Sequence, residues 1–225
     1  MRTLVIGDVH GVSGALDALL DAVAPTPDDL IVFLGDYVDR GPDSKVVIDR
    51  LLTLRESHRV VCLRGNHEIM MVEAWRNPSE LRNWLGVGGV QTLGSYLAPG
   101  QKATFDAVPQ EHWSFLQHDL ADYLETDTHI FVHATLQPDL PLEEQSEMFL
   151  FWEFVNAPVR HESGKVMVCG HSTQRTGLPK AWPTTICLDT GAYAGGWLTC
   201  LHVESQKYWQ TDAAGRVRMG ELEEE

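Results

Sequence analysis

The chain has 225 residues, 44% of them hydrophobic and 22% charged, an ordinary globular composition that excludes wholesale disorder and suits one α/β domain with a modest insertion. Its 17 Lys and Arg stand against 32 Asp and Glu, a formal net charge of −15 that disfavours nucleic acid and anionic membranes as partners. An anionic substrate would therefore need a local positive field, from metal ions or from arginines.

The first apolar run, residues 4–6, reads as a short buried strand, too short for a signal peptide or a membrane span. Cys62, Cys169, Cys187 and Cys200 form no CxxC pair and sit in apolar runs, so they read as reduced core residues. Together these features predict a soluble cytoplasmic protein. The strand ends in Gly7-Asp8-Val9-His10-Gly11, where Asp8 and His10 alternate and so share a side of an extended segment. Ser13 is placed to cap a helix whose apolar face is Ala15, Leu16, Leu19, Leu20 and Val23. A second strand closes at Leu34 and runs into Gly35-Asp36-Tyr37-Val38-Asp39-Arg40-Gly41, followed by a helix from about Pro42. A third strand, residues 59–63, ends in Arg64-Gly65-Asn66-His67-Glu68.

Residues 69–125 lack such clusters and read as a helical insertion rich in Trp and Leu. A fourth strand, 128–132, ends at His133; a helix is expected over 143–156; a fifth strand, 165–169, ends in Gly170-His171. Residues 185–191 and 197–203 read as antiparallel strands turned by Gly191, Gly195 and Gly196, with Tyr208-Trp209 continuing the meander. Residues 1–220 are expected to form one domain, and the acidic run 221–225 a disordered tail.

Parallel strands place their carboxyl ends on one edge, so successive polar strand ends predict a composite site. Asp8, His10, Asp36, Asn66, His133 and His171 make a mixed nitrogen and oxygen set without thiolates, suited to Mn, Fe or Zn. Six candidates suffice for two metals, with Asp36 on the middle loop as the bridging carboxylate. Two metals about 3.5–4 Å apart can clamp an in-line displacement and generate hydroxide at neutral pH. Arg40 and Arg64 can grip phosphate oxygens, and Asp39 can orient His67 as a general acid.

The three blocks at Asp8, Asp36 and Asn66, with His133 and Gly170-His171, resemble the phosphoprotein phosphatases among the calcineurin-like metallophosphoesterases, in particular the compact bacterial and bacteriophage members. The resemblance implies a central β-sandwich flanked by helices, with a dinuclear metal site at the strand ends. It assigns Asp8, His10 and Asp36 to one metal; Asp36, Asn66, His133 and His171 to the other; His67 with Asp39 to the acid pair; and Arg40 with Arg64 to phosphate. It implies a phosphomonoesterase, a protein serine/threonine phosphatase using two divalent ions, Mn foremost, in which a metal-bridging hydroxide attacks phosphorus directly. The chain departs from the family at Thr135, where glycine is usual, and at Glu153, where an arginine often touches phosphate. The rival enzyme is a dinucleoside tetraphosphate hydrolase, whose third block usually ends in Asp where Glu68 stands here. A non-catalytic scaffold binding through the Trp-rich insertion is the reading from another class, and the intact ligand set opposes it.

Overall fold

The computed structural model describes every residue except Met1, Pro99, Gln101 and Glu225. Two sheets carry the fold. The first has six strands in the order β11-β10-β9-β1-β2-β3. In it β1 (Thr3–Ile6), β2 (Leu30–Phe33) and β3 (Arg59–Cys62) run parallel, while β9 (Leu198–His202), β10 (Lys207–Thr211) and β11 (Val217–Glu221) add an antiparallel meander. The second sheet has the order β4-β5-β6-β8-β7. Its parallel centre is β5 (His129–Val132), β6 (Val166–Cys169) and β8 (Thr185–Cys187), edged by antiparallel β4 (Tyr123–Glu125) and β7 (Lys180–Trp182).

Strand alternation sorts the apolar residues into layers. Val5, Val32, Leu34, Leu201, Phe131, Val168 and Ile186 meet between the sheets. Leu4, Ile6, Ile31 and Phe33 face away, onto α1 (Ser13–Val23), α2 (Ser44–Ser57), α3 (Asn66–Arg76) and their neighbours. Ile130, Val132 and Met167 face a third cluster with Leu150 and Phe151. Both faces of the parallel strands are covered, which is why those strands are continuous apolar runs in the sequence. All four cysteines are buried and free. Among the described residues no helix is long and apolar enough to cross a membrane.

Residues 69–125 continue α3 and then hold α4 (Leu81–Trp84), a π-type turn (Leu85–Gly89), α5 (Val90–Ser95), a short 3-10 turn, α6 (Gln110–His118) and β4. Ser13 does not cap α1; it is the first residue of that helix and its hydroxyl donates to Asp43 at 3.0 Å.

Three further expectations are corrected. The helix over 143–156 shrinks to a 3-10 turn, Leu142–Glu144, and one turn of helix, α7 (Glu147–Phe151). Tertiary bonds end it: the Val155 N–H donates to Ser172 Oγ at 2.8 Å, and the Trp152 carbonyl turns to His171. The strands around 185–191 and 197–203 are not a hairpin. They belong to different sheets and meet at isolated bridges from Trp197 to Thr190 (antiparallel) and to Gly191 (parallel), because β8 pairs in parallel with β6. The acidic run after residue 220 is not a loose tail: Glu221 closes β11, Leu222 packs between the sheets, and Glu224 bridges to Ala181. A charge count misses that one apolar anchor; Glu225 lies outside the described residues.

Candidate metal centre

The loops after β1, β2, β3, β5 and β6 gather at one edge of the sandwich. Several of their residues have left-handed backbone: His10 (φ 45), Asp36 (φ 54), Asp39 (φ 70), Arg40 (φ 66) and His171 (φ 59). Each non-glycine residue held there costs about 1–3 kcal/mol and persists only where its surroundings impose it. Glu68 imposes it on the β2 loop. Its fully buried carboxylate accepts the N–H groups of Asp36 (2.9 Å), Tyr37 (2.8 Å), Val38 (3.3 Å) and Gly65 (2.9 Å). Burial, then the Asp36 charge, pushes the Glu68 carboxyl up to about 7. The β1 loop is tied to the same segment, since the N–H groups of Val9 and His10 both donate to the Asp36 carbonyl.

The histidines show what this scaffold is built to hold. His10 Nδ1–H donates to the Val38 carbonyl at 2.9 Å, which leaves a lone pair on Nε2. That Nε2 lies 3.2 Å from Asp36 Oδ2 and is the one buried side-chain nitrogen or oxygen without a hydrogen-bond partner among the described residues. His133 Nδ1–H donates to the Leu34 carbonyl at 2.8 Å, and His171 Nε2–H to the Trp152 carbonyl at 3.1 Å. Burial lowers both pKa values, that of His171 to about 4, so both rings are neutral near pH 7. Their remaining nitrogens, Nε2 of His133 and Nδ1 of His171, therefore carry lone pairs. Both face Asn66 Oδ1, at 3.0 and 3.1 Å. Asp36 Oδ1 is 3.5 Å from the same His133 nitrogen. Electron pairs converge with no proton to share, an arrangement that a cation satisfies.

The carboxylates point the same way. Burial opposes ionisation of Asp36, but His133, His67 and His10 outweigh it and hold the group well below the usual carboxylate range. Burial, then Asp189 and Asp36, pushes Asp8 well up, so a nearby cation would be needed to keep it charged. Two groups could each hold a metal ion: His10, Asp36 and His67, and Asp36, His133 and His171. Asp36 belongs to both, and the nitrogen and oxygen donors fit a divalent transition metal. Asp8 is in neither group; its carboxylate accepts the His171 N–H at 2.9 and 3.2 Å.

His67, a member of the first group, has both ring nitrogens engaged. Nδ1 is 2.7 Å from Asp39 Oδ2, and Nε2 accepts from Arg40 Nη2 at 3.0 Å. Burial lowers the His67 pKa, but Asp36 and Asp39 outweigh it and the net direction is up. The Arg40 contact requires an unprotonated Nε2 while the carboxylates favour protonation. Arg64 is differently placed: its guanidinium pairs with Asp122 at 3.1 Å and donates to the Leu120 carbonyl at 3.4 Å, on a cavity of about 320 Å³ shared with Glu73 and Arg76. Glu153 is exposed.

Sequence reasoning passed over several neighbours. Trp84 Nε1 donates to both Asp39 oxygens (3.0 and 2.9 Å) and Thr92 Oγ1 to Asp39 Oδ1 (2.7 Å). The available signal was Gly88-Gly89: Gly88 has φ 131 and lies so close to the backbone of Asp39 and Arg40 that no side chain fits. Tyr193 lies 5.0 Å from His10, ring to ring, with Arg40 stacked 4.3 Å over it; Phe154 stacks on His171 at 4.8 Å.

Two helix-flanked sheets with imidazoles and carboxylates gathered at one strand edge describe a metallophosphoesterase. The family model for calcineurin-like phosphoesterases matches residues 1–175, and the chain belongs to that family. A symmetrical bis(5'-nucleosyl)-tetraphosphatase of Pseudomonas putida is 31% identical over 150 residues, 66% of this chain and 47% of that protein. The chain thus spans about half the length of the tetraphosphatases it matches. A provisionally assigned serine/threonine-protein phosphatase of Caenorhabditis elegans is 45% identical over 71 residues, 31% of this chain and 16% of that protein. Among solved structures, a provisionally assigned diadenosine tetraphosphatase has a TM-score of 0.65 at 20% identity, covering 98% of this chain and 93% of that one, which bears on fold alone.

Proposed function

We propose that this protein is a metal-dependent hydrolase of small phosphate compounds, with a dinucleoside tetraphosphate as the leading substrate. The carrying observation is the long alignment with symmetrical tetraphosphatases, about twice the span of the match to protein phosphatases. The sequence alone favours a phosphoprotein substrate, partly because Glu68 replaces the Asp of the tetraphosphatase block. Glu68 spends its carboxylate on loop N–H groups. It touches the scaffold rather than a substrate, so its identity carries little weight on that choice.

In this reading Asp8, His10, Asp36, Asn66, His133 and His171 hold two divalent ions, Mn first among Mn, Fe and Zn, with Asp36 shared. Such ions supply Lewis-acid polarisation of the phosphoryl group and a nucleophilic water at neutral pH. Arg40 leaves His67 to bind a phosphoryl oxygen, in forked geometry. His67, oriented by Asp39, then gives its proton to the departing oxygen. The buried free thiols and the absence among the described residues of a membrane-crossing helix support a cytoplasmic setting. The test supplies Mn²⁺ and compares diadenosine tetraphosphate with a phosphoserine peptide, following ADP by chromatography and phosphate by colour. Formation of ADP is expected. Cleavage of the peptide with the tetraphosphate untouched would return the protein-phosphatase reading to first place.

A further inference from the structure

The strand-end rule that gathers the metal donors has one more case. β8 runs parallel to β6, so its carboxyl end lies at the same edge. Leu188 follows it, and then Asp189, a carboxylate only 1% exposed. The end of β1 packs against this segment: a Cβ on Gly7 would stand 2.6 Å from the Leu188 carbonyl oxygen, so no side chain fits between the two backbones. Asp8 and Asp189, the next residue on each segment, are thereby neighbours. After burial, the charge of Asp189 acts on Asp8 more strongly than that of Asp36.

The bonds of Asp189 are few for a buried charge. Oδ1 accepts the Gly191 N–H at 3.0 Å and Oδ2 the Thr173 hydroxyl at 2.5 Å. Among the described residues no arginine or lysine pairs with it. Its carbonyl accepts the Gln174 N–H at 2.8 Å. From Gln174 the chain makes a turn closed by the Gly177 N–H to the Gln174 carbonyl (2.9 Å), with Arg175 exposed at its corner. The Gly177 carbonyl accepts in turn from Gln210 Nε2 (3.0 Å) and Arg218 Nη2 (2.6 Å). The carboxylate is thus held between the loop that carries His171 and the loop that carries Tyr193. Two adjacent buried carboxylates repel each other and both give up hydration, a cost that no cation of the fold offsets. A divalent ion at the strand edge offsets it.

We propose that Asp189 is a positioning residue of the metal centre: held by Thr173 and Gly191, it backs Asp8 with a second negative charge that draws a divalent ion to the strand edge, without ligating that ion. The proposal rests on the metal-dependent reading above and is independent of which phosphate compound is cleaved.

Asp189→Asn isolates the charge. The amide oxygen still accepts from Gly191, and the amide NH₂ donates to the Thr173 hydroxyl, which accepts as readily as it donates. The full chain is stripped with EDTA, dialysed and titrated with Mn²⁺ by calorimetry, and melting of the metal-free form is followed by circular dichroism. Asp189→Asn weakens Mn²⁺ by about 10- to 100-fold. Its metal-free form melts at the wild-type temperature or above, because a buried repulsive charge has gone. Thr173→Val, which leaves the charge in place, weakens Mn²⁺ less. In turnover of p-nitrophenyl phosphate, added Mn²⁺ brings kcat of Asp189→Asn back toward wild type with KM little changed. Wild-type Mn²⁺ affinity in Asp189→Asn overturns the proposal. So does a metal-free form that melts lower or does not fold, which would make the residue structural, and so does a larger loss in Thr173→Val. A wild type that binds no Mn²⁺ overturns the metal-dependent reading as well. If Mn²⁺ binding follows the variants while diadenosine tetraphosphate stays intact, Asp189 keeps its role and the proposed substrate falls.

Discussion

The interior of the site and its rim are built by opposite means. Inside, Asp36, Asp39, His10, His67, Glu68 and His133 are almost wholly buried, and side chains accept the N–H groups of Asp36, Tyr37, Val38 and Asp39. At the rim, Phe154 and Tyr193 are exposed rings held by stacking, and Arg175 stands on a turn in solvent. Burial and low dielectric make the interior intolerant of change, since an unpaired polar group there is expensive. The rim can vary at small cost. The expected division is that chemistry depends on the first region and the choice of substrate on the second.

Substitutions test that division, from the greatest effect to the least. Asp36→Asn removes the carboxylate common to both candidate metal groups; phosphoester hydrolysis should fall below detection and bound metal, measured by elemental analysis, should drop. Full activity in this variant would remove the basis for a shared site. Glu68→Gln keeps the volume but weakens four loop hydrogen bonds. It should cost about 1.5–3 kcal/mol in denaturant unfolding and about 10- to 100-fold in kcat, through displaced ligands. Trp84→Phe deletes the indole N–H to Asp39 and shrinks a buried ring that stacks on Phe105. A fall in kcat of about 10-fold with little change in KM is expected, and a loss confined to KM would move Trp84 to the rim. Tyr193→Leu removes the ring beneath Arg40, and a change in KM of only about 2- to 5-fold is expected from an exposed cation–π contact.

Asp29→Asn lies outside both regions and should leave turnover alone. Asp29 accepts the Arg2 backbone N–H (2.9 Å), Arg2 Nη2 (2.6 Å) and the Thr26 N–H (2.8 Å). The Arg2 hydrogen bond, against opposing burial, holds its carboxyl well below the ordinary range. A depressed folded pKa gives stability that is present above the unfolded value of about 4 and is lost as pH falls below it. Wild type should therefore lose thermal stability between about pH 4 and 2 more steeply than Asp29→Asn. Parallel curves would show that the ion pair contributes nothing.

The strand-end donors were legible because buried parallel strands advertise themselves as apolar runs and the polar block that follows has one place to go. Asp36 on the middle loop is the expected shared carboxylate, and it belongs to both groups that could hold a metal ion. Arg64 was not: beside Asn66 in sequence, it turns toward Asp122, because Leu63 bridges to Ala121 and carries that backbone alongside. Glu68 was read as a marker of substrate when its work is holding backbone. The partners of Asp39 lie 45 and 53 residues downstream, a separation that no local pattern spans. The assignment of residues 185–203 to one hairpin failed because glycine spacing describes a reversal of direction and not which sheet receives the returning strand.

The anchoring of the 174–177 turn has a practical side. Its Gly177 carbonyl is gripped from β10 and β11, at the far side of the six-stranded sheet from the catalytic loops, so the corner residue can be exchanged without disturbing the machinery it overlooks. Such a corner is a natural grafting point. Libraries restricted to Arg175 and its flanking positions should leave the fold of the strand-edge loops intact, a modularity that an engineer could use.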